Sequence, residues 1–240
     1  HGIRDRSPSR GLGDVYKRQA QTQVLVVGGG TAGVSAAVAA AREGADVILV
    51  ERLGDLGGLA TGGMIILLLT LDDGAGKQVV GGLCQETTER LVLRGAAECP
   101  EKTEWGSGET ELTQRDRLRG LVWGHGPDRV RYSVAYDPEE LKFVLNSMVD
   151  EAKVRLLLHA YACDAIVDGE SVRGAVFQGK AGRFAILADA VVDATGDGDM
   201  FVSAGAEFEK VKVLPWLWFC MGGVTEPEKA PGAGKRFFLS

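Results

Sequence analysis

The chain has 240 residues, 45% of them hydrophobic and 25% charged, with a formal net charge of −6. That length supplies one sizeable core, or one domain with part of a second. The acidic balance argues against nucleic acid or an anionic membrane surface as a partner. The longest apolar run, Met64–Leu71, falls well short of the roughly 20 residues that cross a bilayer. It reads instead as a buried strand. Four cysteines, Cys84, Cys99, Cys163 and Cys220, stand apart with no metal-ligand spacing and read as buried, reduced thiols. No secretory signal is visible, so a cytoplasmic setting is the default expectation.

Residues 1–19, "HGIRDRSPSRGLGDVYKRQ", are polar and have no apolar period. Their ending resembles the translated end of a transposon used in sequencing libraries. A non-native leader is expected; a native basic tail is the alternative.

"QVLVV", Gln23–Val27, is β-branched and nearly all apolar, as a strand buried on both faces of a parallel sheet would be. Gly28, Gly30 and Gly33 follow in G-x-G-x-x-G spacing. The first glycine permits a tight turn, the second lets a pyrophosphate reach the backbone, and the third lets helix and strand pack closely. A helix is expected from Thr31 to Glu43, with Val34, Ala37, Val38 and Ala41 on one stripe and Gly44 closing it. "DVILVE" is the second strand. Its last residue, Glu51, lies 18 residues after Gly33, where a carboxylate can accept hydrogen bonds from a ribose and would repel a 2′-phosphate. Strand, turn, helix, strand and acid in this order point to a dinucleotide site. A tight βαβ turn without a ligand is the plainer reading.

After Glu51 a nicotinamide dehydrogenase would enter another helix of the doubly wound sheet. Here "ERLGDLGGLATGGMI" carries glycines at 54, 57, 58, 62 and 63, too many for a stable helix at about 1 kcal/mol each. At this point "VVGGGTAGVSAAVAAAREGADVILVER" with "GGLATGG" resembles the FAD-dependent oxidoreductases allied to fumarate reductase and succinate dehydrogenase flavoproteins. The resemblance implies a Rossmann-like α/β FAD-binding domain of the glutathione reductase type, with an inserted antiparallel β-meander. It puts the FAD pyrophosphate on Gly28, Gly30 and Gly33 and the adenosine ribose on Glu51, with Arg52 beside it. The flavin half falls near Gly57, Gly58, Ala60 and Thr61. The redox CxxxxC of the related disulfide reductases is missing from this region, which argues against thiol–disulfide chemistry.

Farther along, a helix is expected from Leu83 to Leu93, on which Arg90 and Arg94 form a solvated face. Residues 96–128 read as a charged, loop-like insertion, in which His125 is a weak candidate to face a substrate. "YSVAY" reads as a strand. A helix then opens on Asp137 and Pro138 and carries Leu141, Val144, Leu145 and Met148 inward. "VRLLLHA" is a further parallel strand, and His159 at its end reads as a structural histidine. Hairpin signals fall at Asp168-Gly169 and Gly179–Gly182.

"LADAVVDATGDGDMFVSAGAEF" then resembles the same family's A-T-G segment, where the chain returns beside the FAD. That implies cofactor contacts at Thr195 and Gly196. Asp197 either touches the cofactor or satisfies helix amides. A calcium loop is excluded because its twelfth position is Ala204. "PWLWFCM", Pro215–Met221, reads as a core strand of a next domain. The expected division is a leader over 1–19, a FAD-binding domain over 20–205 and the start of a substrate or capping domain over 206–240, cut short at "GKRFFLS".

The function expected is the N-terminal, FAD-binding part of a flavin-dependent oxidoreductase that moves a hydride between a small organic substrate and FAD, inactive by itself. The alternatives are a non-catalytic escort-type protein of the same fold, similar to Rab escort and GDP-dissociation inhibitor proteins, and an NAD-dependent dehydrogenase. No catalytic residue and no metal site is assigned.

Overall fold

The computed structural model describes residues 17–122, 128–213 and 218. The chain divides into two compact units, one built from residues 17–58 and 145–213 and the other from 59–122 and 128–144. The expectations for His125, for residues 1–16, for Cys220 and for the aromatic run apart from Trp218 lie outside the described residues.

The first unit is a six-stranded mixed sheet. Its first strand, β1 (Lys17–Val27), runs into helix α1 (Thr31–Arg42) and then strand β2 (Val47–Val50). Strand β1 starts six residues before the apolar run that announces it. Residues 17–22 alternate no apolar pattern because their pairing is with one long partner, β9 (Gly182–Asp193), in a register from Lys17↔Phe184 to Val27↔Asp193. The expected next parallel strand is β6 (Arg155–Leu157), beside β2. The order across the sheet is β6-β2-β1-β9-β8-β7, where β7 is Tyr161–Asp168 and β8 is Ser171–Gly179. β7, β8 and β9 are antiparallel neighbours, and the two predicted hairpins join them. They form one continuous sheet with the parallel strands, since β9 belongs to both sets.

The core of this unit follows from strand alternation. Leu25, Val27, Ile48, Val50, Ala175, Phe177 and Ile186 are buried in one cluster, which Met200 of helix α5 (Asp199–Ser203) joins. Helix α1 packs on β1 and β2 with Val34, Ala37 and Val38 buried. It ends as its sequence dictates: Gly44, at φ +91°, donates to the Ala41 carbonyl and Ala45 to that of Ala40.

The second unit holds a three-stranded antiparallel sheet, β3 (Leu67–Leu68), β5 (Val134–Tyr136) and β4 (Ala97–Glu98), in the order β3-β5-β4. The run Met64–Leu71 is not the full buried strand its composition suggests. Only two of its residues pair, Met64 sits at φ +56°, and Leu69 is 43% exposed. Helix α2 (Leu83–Leu93) has its predicted bounds. Arg90 pairs with Glu86, and Arg94 pairs with Glu140 while its guanidinium lies over the Phe143 ring. The region 96–128 is not all loop: helix α3 (Thr110–Leu118) lies inside it, with Thr113 and Asp116 as its buried residues. Arg115 joins Asp116 to Glu104. Cys84, Cys99 and Cys163 are free and partly exposed, not fully buried; burial pushes the Cys84 and Cys99 thiols up.

Helix α4 (Pro138–Glu151) starts at the expected cap. One Asp137 carboxylate oxygen accepts from the amides of Glu139 at 2.7 Å and Glu140 at 3.2 Å. Asp137→Ala should therefore lower stability by about 1 kcal/mol in urea titration. An unchanged midpoint would mean that the packing of Leu141, Val144, Leu145 and Met148 holds the helix start unaided.

Candidate functional site

In an open sheet with parallel strands, ligands gather outside the carboxyl ends of those strands. Here β6, β2, β1 and β9 end on one edge, and backbone hydrogen bonds lace the loops that leave them. Gly28 donates to Val50, Ala194 to Val27, Glu51 to Leu157 and Ala160 to Glu51, at 2.8–3.1 Å.

The glycine turn after β1 divides by physical requirement. Gly28 sits at φ +103°, and a Cβ there would run into the Ala194 carbonyl. A Cβ on Gly33 would strike the Gly28 carbonyl and stand 3.2 Å from the Ala194 Cβ. Gly29, which the spacing motif passes over, is also confined: its Cβ would lie 2.7 Å from Leu56 Cδ2 and 2.9 Å from Glu51 Cβ. Gly30 differs from all of these. Its backbone, φ −66° and ψ −178°, is open to any residue, and its Cβ would meet no atom within 4 Å. The protein's own packing thus gives no reason for a glycine at 30. Gly30 is also the N-cap of α1. It brings no side-chain acceptor, and the first turn of α1 carries no acid. The helix start therefore keeps its amides for another partner.

The second glycine segment comes back to the first. Gly57 donates to the Gly29 carbonyl at 2.8 Å, and Gly30 and Gly57 form a parallel bridge. A Cβ on Gly58 would lie 3.2 Å from the Gly30 Cα. Glu51 is 6% exposed and its carboxylate faces the glycine turn. Oε2 accepts from the Gly29 amide at 2.6 Å and Oε1 from the Leu53 amide at 2.8 Å. Each oxygen keeps acceptor capacity, since a carboxylate offers about four lone-pair sites. Arg52 is exposed.

The A-T-G turn leaves β9 beside Gly28. Asp193 organises it: Oδ1 accepts from the Thr195 amide (3.1 Å) and hydroxyl (2.7 Å), and Oδ2 from the amides of Met200 and Phe201 (3.0 Å each). Thr195 Oγ1 accepts in turn from the Asp199 amide at 2.9 Å. Burial pushes the Asp193 carboxyl up, but the hydrogen bonds from Thr195, Phe201 and Met200 outweigh that and hold it below the ordinary aspartate value. Asp197 does not satisfy the helix amides, which corrects one of the two expectations for it. It is exposed, and α5 begins at Asp199 after the left-handed Gly198. Gly196 is exposed at φ +86°.

Ala60 and Thr61 fall in the second unit. The Ala60 carbonyl accepts from the Tyr136 hydroxyl at 3.2 Å, a proton shared with Ile65 O at 2.6 Å, and Thr61 is buried. The spacing motifs do not find Tyr136. Its alternation in "YSVAY" marks it as an inward strand residue and no more. His159 is not the half-buried structural histidine expected. It is exposed, at φ +57°, and its ring lies against Gly54, where a Cβ would stand 2.8 Å from Cε1. Among the described residues no group of His, Cys, Asp and Glu is placed to hold a metal ion. No helix there is long and apolar enough to cross a membrane.

A strand-turn-helix with two converging glycine segments and a buried acid at the second strand end defines a nucleotide-binding α/β class. The comparisons narrow it. The model of the FAD-dependent oxidoreductase family matches residues 23–236, and the chain belongs to that family, whose cofactor is FAD. A search of curated proteins returns no match. Among solved structures, p-nitrophenol 4-monooxygenase from Pseudomonas putida DLL-E4 is similar at 15% identity and a TM-score of 0.51, over 80% of this chain and 44% of that one. A 3-ketosteroid-Δ4-(5α)-dehydrogenase from Rhodococcus jostii RHA1 matches at 20% identity and a TM-score of 0.46, over 77% and 47%. A flavocytochrome c3 fumarate reductase in its open conformation matches at 25% identity and a TM-score of 0.42, over 73% and 34%. The chain thus spans less than half of each of these three proteins.

Two outcomes follow for the free chain. Gly30→Ala should leave its stability within about 0.5 kcal/mol. Gly28→Ala and Gly33→Ala should each cost about 1–3 kcal/mol from strain and overpacking, read by urea titration. Equal costs at all three positions would deny Gly30 its distinct status. The contribution of Asp193 also has a definite sign with pH. Its folded pKa is depressed, so its stabilisation is complete above the ordinary aspartate value and disappears as pH falls through the lower folded one. The stability gap between wild type and Asp193→Asn should therefore close on acidification. A gap that persists at low pH would contradict the assignment.

Proposed function

We propose that this chain forms the FAD-binding part of an oxidoreductase that moves a hydride between a small organic substrate and FAD. The observation that carries the reading is Gly30, a glycine that neither the backbone nor the packing requires, at the uncapped start of α1. A pyrophosphate seated there explains both features, because it needs bare backbone and donor amides.

The residues fit that group. Gly28, Gly30 and Gly33 shape the pyrophosphate bend, and Glu51, already aimed at the bend, has lone pairs left for the ribose hydroxyls. Gly57 and Gly58 line the return of the second segment against Gly30. Thr195 and Gly196 approach from the β9 side, and exposed Asp197 and Arg52 flank the cofactor. Ala60 and Thr61 carry the flavin half, in a fold of the glutathione reductase type whose FAD-binding domain covers residues 20–205. When bound, FAD supplies the redox chemistry; the protein binds, orients and tunes it. An escort-type protein without a cofactor would have no use for a glycine at 30, which neither backbone nor packing requires.

Gly30→Val tests the placement. The free variant should fold with wild-type circular dichroism, and its affinity for FAD, followed by quenching of flavin fluorescence, should fall at least tenfold. Unchanged FAD affinity would show that the pyrophosphate does not sit at this turn. A longer protein carrying this segment should show bound flavin in its visible spectrum, and that band should bleach anaerobically with the reduced form of its substrate.

A further inference from the structure

Asp193 belongs to neither glycine motif, yet its side chain accepts four hydrogen bonds at the strand edge. It is the last residue of β9, paired with Val27, the last residue of β1. Its two oxygens take up four donors, two on Thr195 and two at the start of α5. Thr195 Oγ1 closes a second link to the Asp199 amide. Beyond the Ala194 amide, which donates to the Val27 carbonyl, the turn itself is open: Gly196 and Gly198 are both left-handed and Asp197 is exposed. Glycines lose the most conformational freedom on ordering, so a turn with two of them is loose unless something latches it. The latched turn is also the wall of the glycine bend. The Ala194 carbonyl is what a Cβ on Gly28 would strike, and the Ala194 Cβ stands 3.2 Å from the position of one on Gly33.

We propose that Asp193 is a positioning residue: it holds the Ala194–Gly196 turn in place before the cofactor arrives, so that this turn meets FAD preformed. The inference rests on the FAD reading of the site. It has a directional consequence. Strand β1 lies between β2, which carries Glu51, and β9, which carries Asp193. The adenosine end is held on the β2 side, and the A-T-G turn meets the molecule from the other side of β1. Loss of the latch therefore penalises the part of FAD beyond the pyrophosphate. General loosening of the domain would penalise the adenosine end as well.

The test uses the full chain with FAD and with ADP as probes. Asp193→Asn keeps the shape of the side chain but turns an N–H₂ toward donors, so it cannot accept all four hydrogen bonds. We expect FAD affinity to fall at least tenfold in this variant while ADP affinity changes less than twofold. Equal losses for FAD and ADP, or no loss for either, would overturn the proposal. Gly30→Val serves as the control. If it loses both ligands while Asp193→Asn loses neither, the FAD reading stands and the latch does not. If Gly30→Val leaves both affinities unchanged, the reading itself fails, and this inference with it.

If Asp193→Asn does not fold, amide hydrogen exchange on the wild-type chain decides. Without FAD, the amides of Thr195, Met200 and Phe201 should already exchange as slowly as those inside β9. Exchange at loop rates until FAD is added would show that no latch is preformed and overturn the proposal.

Discussion

The contact between bare backbone at Gly33 and the carbonyl of Gly28 sets the position of everything else at the strand edge. Because no Cβ intervenes, α1 starts directly against the end of β1. The Glu51 carboxylate lies beside this turn. It is buried, so both oxygens must be paired, and the amides of Gly29 and Leu53 do this on either side. Gly57 closes the arrangement by donating to Gly29. A structural joint is thus made from a few backbone groups. Gly28, Gly29 and Gly33 are required by the protein's own packing, whereas Gly30 is not, and the proposed pyrophosphate accounts for it.

The same logic explains why the two bends do not have equal supports. At the first, the fixing group is Glu51, a side chain that also faces the proposed ribose. At the A-T-G turn the fixing group, Asp193, spends its acceptor capacity on the protein. In the second unit the Tyr136 hydroxyl ties down the carbonyls of Ala60 and Ile65, and burial pushes that hydroxyl well above the ordinary tyrosine range. It therefore stays protonated and remains a donor. Asp193 and Tyr136 are invisible to the glycine spacing, because their partners are main-chain atoms or lie far away in sequence.

That difference separates what was legible in the sequence from what was not. α1 and α4 are readable because each has an apolar stripe and a terminal signal, and Asp137 and Gly44 act as their types suggest. Glu51 was readable from its distance to Gly33. α3 was not, because its inward face is Thr113 and Asp116, stabilised by an ion pair to Glu104 that no period records. The first six residues of β1 are polar apart from Ala20 and take their strand form from β9. Met64–Leu71 misleads in the opposite sense: it is apolar but for Thr70, yet its backbone turns left-handed at Met64 and pairs over only two residues. His159 follows the end of β6 as its sequence position suggests, but it is exposed rather than half-buried.

The account comes down to whether the start of α1 receives the phosphates of FAD. Residue-resolved amide hydrogen exchange of the whole chain, with and without FAD, addresses this most directly. The amides of Gly30, Thr31 and Ala32 should slow markedly on adding FAD, more than those of the exposed α2 face. Binding of FAD with no change at these three amides would contradict the account.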